Sequence, residues 1–371
     1  MVRFTANRET REKEHPAASF SAPRGTTVRN NRRREGTARP VRVVHLITEL
    51  NTGGAEQMLF KLVTRMDRDR FRCCVVSMTD QGPVGRKIAA AGIPVFSLGM
   101  GPGRPTIGGL GKLYRLLRLE KVDVLQTWLY HADLLGLLVG RMAGVRRVVW
   151  GIRCSDMHLR NYRPLTALTV RLCGFLSSLV DAIVVNSEQG KDVHRRRGYH
   201  TDRMLLIPNG FEVDRFRPDA SSRDWLLKEL GIPPQSVLIG MVARYDPMKD
   251  HAGFLQAAAR LAGMLPSVHF VLVGKGVQDD NPGITRMLDE ESLKGRVHLL
   301  GLRQDIPRIM AGLDIAVSSS AFGEGFSNTI GEAMCCGVPC IVTDVGDSGK
   351  IVGETGIVVR PKDPEALAGA M

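Results

Sequence analysis

Two glutamates eight positions apart stand in the segment Gly323-Glu324-Gly325-Phe326-Ser327-Asn328-Thr329-Ile330-Gly331-Glu332-Ala333-Met334. Glu324 falls in a glycine-flanked loop, and Glu332 falls one to two turns into a predicted helix. A helix rises about 1.5 Å per residue, so the pair spans roughly 10 Å or a little more. That separation suits a ligand with two hydroxyl-bearing ends and a charged middle, such as hexose, pyrophosphate and ribose joined in a nucleotide-sugar. A helix starting near Ser327 turns its positive end and free amides toward the charged middle. Carboxylates repel phosphate, so Glu324 is expected to accept from sugar hydroxyls and Glu332 from the ribose diol. The plainer reading is an acidic residue that favours its helix dipole, plus an exposed glutamate. The glycines on both sides of Glu324 weigh toward the ligand.

Three further segments carry the chemistry such a ligand needs. Arg244-Tyr245-Asp246-Pro247-Met248-Lys249 follows a predicted strand. Arg244 supplies a planar fork and Lys249 a mobile ammonium, both suited to pyrophosphate. Thr52-Gly53-Gly54-Ala55-Glu56 follows the first strand. Its paired glycines allow close backbone approach at a helix start. His131, at another helix start, is placed to hydrogen-bond the donor sugar or the reaction centre. Taken singly, each also reads as ordinary structure: surface cations at a helix start, a tight strand-to-helix turn, a histidine with a structural bond.

Other patterns do not form. Neither G-x-G-x-x-G in the first loop nor G-x-x-x-x-G-K-[ST] anywhere is present, which argues against NAD and P-loop chemistry. Asp67-Arg68-Asp69 has the spacing of a metal-binding DxD but lies between a helix end and a strand start. Gly346-Asp347-Ser348-Gly349 misses the nucleophile elbow by one position. Ser155, Asp156 and His158 stand too close together for a triad. No clustered His, Cys and carboxylate spacing points to a metal, and none is expected.

Positioning these residues falls to alternating elements. Short Val/Ile-rich runs predict strands at 41–47, 72–78, 94–98, 122–127, 146–150, 182–186 and 203–207. Helical patterns lie between them, near 54–66, 84–91, 108–120, 132–143, 163–180 and 188–197. A second series has strands at 237–242, 268–273, 297–301, 314–318, 339–343 and 356–359, with helices near 250–264, 284–294, 304–312, 327–336 and 364–370. This β-α order implies parallel, doubly wound sheets. The expected organisation is a disordered basic tail (1–40), a Rossmann-like domain (41–212), a linker with a short helix (213–235), and a second Rossmann-like domain holding the nucleotide-sugar (236–371). Open α/β sheets bind ligands beyond the carboxyl ends of their strands. The two sheets should therefore face each other across a cleft, and the motifs indeed follow strands.

The chain has 371 residues and a net charge of +13, of which residues 1–40 carry +6 from ten Lys/Arg and four Glu. That segment, rich in Arg, Thr, Asn and Pro, lacks the apolar surface to fold. It reads as a flexible arm or as a start placed upstream of the real domain. Charge on the folded part suits an anionic ligand or anionic lipid. Nucleic acid is not an expected partner, because no stacking-aromatic or zinc-finger pattern accompanies the charge. The seven cysteines show no repeated CxxC. With no apolar stretch of ~18 residues and no leader, they imply a reducing cytoplasm. Lys112-Leu113-Tyr114-Arg115-Leu116-Leu117-Arg118-Leu119 mixes cations and leucines at helical spacing. It suits the inner face of a plasma membrane, or equally packs its leucines on the sheet.

Together these residues resemble the retaining glycosyltransferases of family 4, the "glycosyl transferases group 1" type with the GT-B fold, over about residues 41–371. The strongest carriers are Gly323–Met334 with its E-x7-E spacing, and Arg244 with Lys249. Gly53-Gly54-Ala55-Glu56, His131-Ala132-Asp133, Asn186-Ser187 and Ile207-Pro208-Asn209-Gly210 add to them. The resemblance implies that Glu324 and Glu332 hold the donor sugar and ribose, and that Arg244 and Lys249 hold the diphosphate. It implies that Gly53 and Gly54 lie near the diphosphate and acceptor, and that His131 lies near the sugar. The amides of Phe326, Ser327 and Asn328 then complete a phosphate cradle, and Gly325 beside them also belongs to the implied donor site. Relatives often have Pro where this chain has Ser327, which keeps an N–H.

The implied activity is retaining transfer from a nucleoside diphosphate sugar (UDP first, GDP or ADP also open) to a glycan or lipid-linked hydroxyl acceptor. The wording of the second half is similar to bacterial enzymes of exopolysaccharide or other surface-glycan synthesis. No separate cofactor is implied. An epimerase of the same fold and a non-catalytic glycan-assembly partner are the alternatives. Relatives usually continue into a C-terminal helix that crosses back to the first domain, so the end at Met371 reads as a truncation.

Overall fold

The computed structural model describes residues 39–101, 104–155, 164–291 and 293–371. The expected basic tail, apart from Arg39 and Pro40, and the residues Asp156 and His158 lie outside them. In chain order the first half runs β1 (Val41–Ile47), α1 (Gly54–Arg65), β2 (Phe71–Ser77), α2 (Gly82–Ala90), β3 (Val95–Ser97), α3 (Ile107–Leu119) and β4 (Val124–Trp128). It continues with α4 (Tyr130–Met142), β5 (Arg147–Ile152), α5 (Pro164–Leu176), β6 (Ala182–Val185), α6 (Glu188–Arg196) and β7 (Met204–Leu206). The short helix α7 (Ala220–Leu230) leads to the second half: β8 (Val237–Val242), α8 (His251–Met264), β9 (Val268–Val273), α9 (Pro282–Glu290), β10 (Val297–Leu299), α10 (Ile306–Ala311) and β11 (Ile315–Ser318). It ends with α11 (Asn328–Cys335), β12 (Cys340–Thr343), α12 (Ser348–Val352), β13 (Ile357–Val359) and α13 (Pro364–Ala370).

Two wholly parallel sheets result, ordered β3-β2-β1-β4-β5-β6-β7 and β10-β9-β8-β11-β12-β13. Strands covered by helices on both faces are apolar throughout rather than alternating. β1 shows this, with its last five residues all buried. Trp128 and Trp150 fill the first lobe, and Phe254 meets Phe270 edge-on in the second. In each sheet the strand order reverses beside the first strand, between β1 and β4 and between β8 and β11. Crevices at such switch points, beyond the carboxyl ends, are where doubly wound sheets take ligands. Residues 40–371 form one compact unit.

Two local differences from the sequence pattern have simple causes. The segment read as one helix over 163–180 ends at Leu176 and tightens into a 3-10 turn over Ser177–Leu179, where the Ser177 hydroxyl donates to the Gly174 carbonyl. The five-residue helix α12 was not anticipated, because Gly346-Asp347-Ser348-Gly349 carries turn chemistry in place of apolar periodicity. Asp67 serves the turn between α1 and β2, where its carboxylate accepts from the Asp69 and Arg70 amides. The thiols of Cys336 and Cys340 are buried, which pushes them up to about 11 and about 12. They pack as small apolar groups.

Candidate active site

The loop after β8 places Lys249. Asp246 accepts from the Met248 amide and sets a 3-10 turn over Pro247–Lys249. Asp250 then takes φ +51 and caps α8 by accepting from Gly253 N. A short polar side chain tolerates this left-handed turn better than most. The loop is clamped to the one that follows β11: the Ser319 hydroxyl donates to the Lys249 carbonyl at 2.9 Å, and the Ala321 amide donates to the Met248 carbonyl at 2.8 Å. Lys249 Nζ thereby reaches Glu324 Oε2, which also accepts from Ser320 Oγ at 3.2 Å. Both members of the ion pair are largely buried, with side-chain exposures of 17 % and 11 %.

From Glu324 the chain runs straight into the start of α11. Ser327 caps that helix in extended conformation without a side-chain bond, so the first amides keep no capping acceptor from Ser327. Phe326 stacks on Phe211, with ring centroids 6.0 Å apart. A Cβ on Gly331 would sit 2.0 Å from the Phe211 ring, so glycine is what lets Phe211 lie on α11. One turn deeper, Glu332 pairs with Lys61 of α1 at 3.3 Å. Burial raises the Glu332 carboxyl above its usual range and Lys61 opposes that rise.

The first lobe closes on this loop. A Cβ on Gly54 would touch Asn328 Nδ2 at 3.4 Å, so this glycine of the pair faces the start of α11, while Gly53 lies against the Glu56 carboxylate. A Cβ on Gly325 would meet Asn186 Oδ1 at 3.1 Å and the Arg153 carbonyl at 3.3 Å. Ser155 Oγ donates to the Glu324 carbonyl. Asn209 donates to Asn328 Oδ1 at 2.8 Å and accepts from Arg153 Nη1 at 3.0 Å. Asp347 of the second lobe caps α6 of the first, accepting from the Glu188 and Gln189 amides at 2.7 and 3.1 Å.

Of the residues singled out in the sequence, the fold thus joins Lys249, Glu324, Gly325, Phe326, Ser327, Asn328, Glu332 and the Gly53-Gly54 turn at one place. Arg244 sits at its rim, bonded to Asp246 at 3.0 Å and close enough to Glu56 for its charge to matter there. His131 is half-buried at the start of α4, and burial holds its imidazole below the usual value. No hydrogen bond or ion pair among the described residues ties it to Glu324 or Lys249. Arg303 is held by Glu229 and Asp305 at 2.8 and 2.6 Å.

Several residues of the site had no role in the sequence reading. Glu56 is buried beside the glycine turn. Burial pushes its carboxyl up to about 7; its own backbone N–H opposes, Glu49 adds to the rise and Arg244 opposes it. Arg153 follows β5 just as the other motifs follow their strands, and that placement was its available signal. Asn209 belongs to Ile207-Pro208-Asn209-Gly210, which added to the resemblance without a role for the side chain. Lys61 stands in mid-helix and carried no signal.

Residues 52–215 match the family model described as Glycosyltransferase Family 4, and residues 236–371 match the one described as Glycosyl transferases group 1. The chain is a family 4 glycosyltransferase. This transferase is 28 % identical over 264 residues to the UDP-Gal:alpha-D-GlcNAc-diphosphoundecaprenol alpha-1,3-galactosyltransferase of Escherichia coli, covering 70 % of this chain and 68 % of that one. It is 26 % identical over 328 residues to the putative glycosyltransferase EpsF of Bacillus subtilis, covering 86 % and 83 %. In fold it is similar to Anabaena Alr3699/HepE, solved with UDP and glucose, at a TM-score of 0.78, 24 % identity, and 89 % and 88 % of the two chains. The transferase therefore has the GT-B architecture, two parallel α/β lobes with motifs meeting between them. Among its described residues no helix is long and apolar enough to cross a membrane.

Proposed function

We propose that this glycosyltransferase moves a sugar from a nucleoside diphosphate sugar, a UDP-sugar first, to a hydroxyl of a lipid-linked glycan acceptor, with retention at the anomeric carbon, in surface-glycan synthesis. The observation that carries the reading is the Lys249–Glu324 pair beside the start of α11, with the glycine turn facing it. Phosphate fits at the helix start, where amides and dipole favour an anion. Lys249 and Arg244 stabilise the charge that grows on the diphosphate as the glycosidic bond breaks. Glu324, already bound to Lys249 and Ser320, is suited to accept from sugar hydroxyls rather than to act as a free nucleophile. That favours attack on the face from which the diphosphate leaves, and so retention. Glu332 accepts from the ribose, with Lys61 sharing its carboxylate. The E. coli relative's name supplies the donor and acceptor class, and the solved neighbour binds UDP and glucose. The test is a donor screen that reads nucleoside diphosphate release. Release that depends on a lipid-diphosphate-linked acceptor supports the reading, whereas conversion of donor without acceptor, or no release from any donor, refutes it.

Glu56 gives this site a pH dependence. Its carboxyl ionises at about 7, so it gains a negative charge as pH rises through neutrality. That charge lies close to Arg244 and the glycine turn, and it repels the donor diphosphate. The donor KM is expected to rise roughly threefold to tenfold between pH 6 and 8. Glu56→Gln should flatten the profile at the low-pH value, and a profile unchanged by that substitution contradicts this role.

A lipid-linked acceptor calls for membrane contact, and the surface favours α5 over α3 as the apolar element. In α3, Leu113 and Leu117 are buried in the core while Lys112, Arg115 and Arg118 are exposed. In α5 and the turn after it, Leu165, Leu168, Leu172, Phe175 and Leu179 form an exposed stripe beside Arg171, and the helix holds no acidic residue. Sedimentation with phosphatidylglycerol vesicles at low salt should fall at least about tenfold in the Leu168→Asp, Phe175→Asp double variant, given the ~1.5–3 kcal/mol of burying each side chain. Equal sedimentation of both proteins, or none by the unaltered one, removes this surface from the account.

A further inference from the structure

We propose that Arg153 is a diphosphate-binding residue contributed by the first lobe, gripping the donor's phosphates from the side opposite Lys249. The proposal rests on the donor reading above and adds a residue that no motif assigned. Arg153 stands at the carboxyl end of β5 and its backbone carbonyl lies against Gly325. Its guanidinium lies over the Trp128 ring, 4.3 Å from the ring centre, a cation–π contact. One nitrogen donates to Asn209, which in turn holds Asn328, the first residue of α11. The cation is therefore one amide side chain away from the start of the helix that would take phosphate.

Arg153 differs from its neighbours in what balances its charge. Lys249 pairs with Glu324, Arg244 with Asp246, and Lys61 with Glu332. Among the described residues no carboxylate lies within ion-pair distance of Arg153, and its buried Nε has no hydrogen-bond partner. An unsatisfied buried donor is costly, and a buried cation without an anion more so. The acid that influences it most, Asp133, is pushed up to about 8 by burial and is largely neutral at pH 7. A phosphate oxygen satisfies both needs, because the planar guanidinium fork matches phosphate geometry.

The experiment is calorimetric titration of the full chain with UDP, GDP and ADP, and with the matching nucleoside, which lacks phosphate. In Arg153→Gln the affinity for the preferred diphosphate should fall roughly 10- to 100-fold, while the nucleoside changes less than about twofold. Arg153→Lys, which keeps the charge and loses the fork, should fall between them and decides the question if the Gln variant unfolds. Unchanged diphosphate affinity in either variant overturns the proposal. So does an equal loss for nucleoside and diphosphate, which would make Arg153 a shaper of the cleft. If the unaltered protein binds none of the three diphosphates, the donor reading itself fails and this proposal with it.

Discussion

Lys249→Ala is expected to lower kcat at least about a thousandfold, and Glu324→Ala by a similar factor, with the folded state retained in both. Removing one positioned donor from a site of developing charge costs roughly 10²–10³ in rate. Lys249 does more than donate. Its ammonium holds Glu324 in place, and the two loops that carry them are bonded together through Ser319 and Ala321. Residues that act as a unit are not additive. The double variant should therefore be little worse than either single one. Each single change also leaves a buried charge without its partner, so some loss of stability accompanies it. Glu324→Gln keeps the shape and the bond from Ser320, and separates the loss of charge from the loss of packing. Near-wild-type turnover in both alanine variants would remove these residues from the chemistry.

Gly346→Ala should disable the enzyme from behind the site. Gly346 has φ +65, and a Cβ there would lie 2.3 Å from the Glu324 carbonyl oxygen and 2.8 Å from that of Gly325. Both obstacles are backbone, which cannot swing aside as a side chain can. The left-handed conformation costs roughly 1–2 kcal/mol for an L-residue and overpacking roughly 1–3 more. Relief requires the Glu324–Gly325 strand of the loop to move, and with it the carboxylate and the start of α11. Asp347, next in sequence, both donates its amide to the Gly325 carbonyl and caps α6 of the first lobe. The disturbance therefore reaches the contact between lobes. Thermal unfolding should show a loss of roughly 2–5 kcal/mol, and turnover should fall by more than that stability loss explains. Gly349, three residues along, supplies the control: a Cβ there meets only side chains at ordinary van der Waals distance, Val358 at 3.6 Å and Asp344 at 3.8 Å. Gly349→Ala should be within about 1 kcal/mol of the parent. If both variants behave alike, the crowding at Gly346 is not what holds the loop.

Much of the architecture could be read from the chain because the β-α alternation is strong and each motif follows a strand. The run Val41–Ile47 is apolar enough to require cover on both faces, and Gly53 follows it at the carboxyl end. The same logic placed Lys249 after β8 and Glu324 after β11. What could not be read is how the lobes meet. Lys61 and Glu332 are 271 positions apart and pair only because the fold brings α1 of the first lobe within side-chain reach of α11 of the second. Ser155 looked like a failed triad member, yet it bonds the Glu324 backbone across the cleft. Asp347 looked like part of a failed elbow and is a helix cap for the other lobe. His131 and Arg153 both follow first-lobe strands. Sequence position could not tell which would come against Gly325, and the fold brings Arg153 there.

The most direct test is a crystal structure of the full chain with bound UDP. Phosphate oxygens are expected within about 3 Å of the first amides of α11 and of Lys249 Nζ, with the ribose on Glu332. A nucleotide bound away from α11, or seated there with Lys249 and Glu324 turned to solvent, would contradict the proposed site.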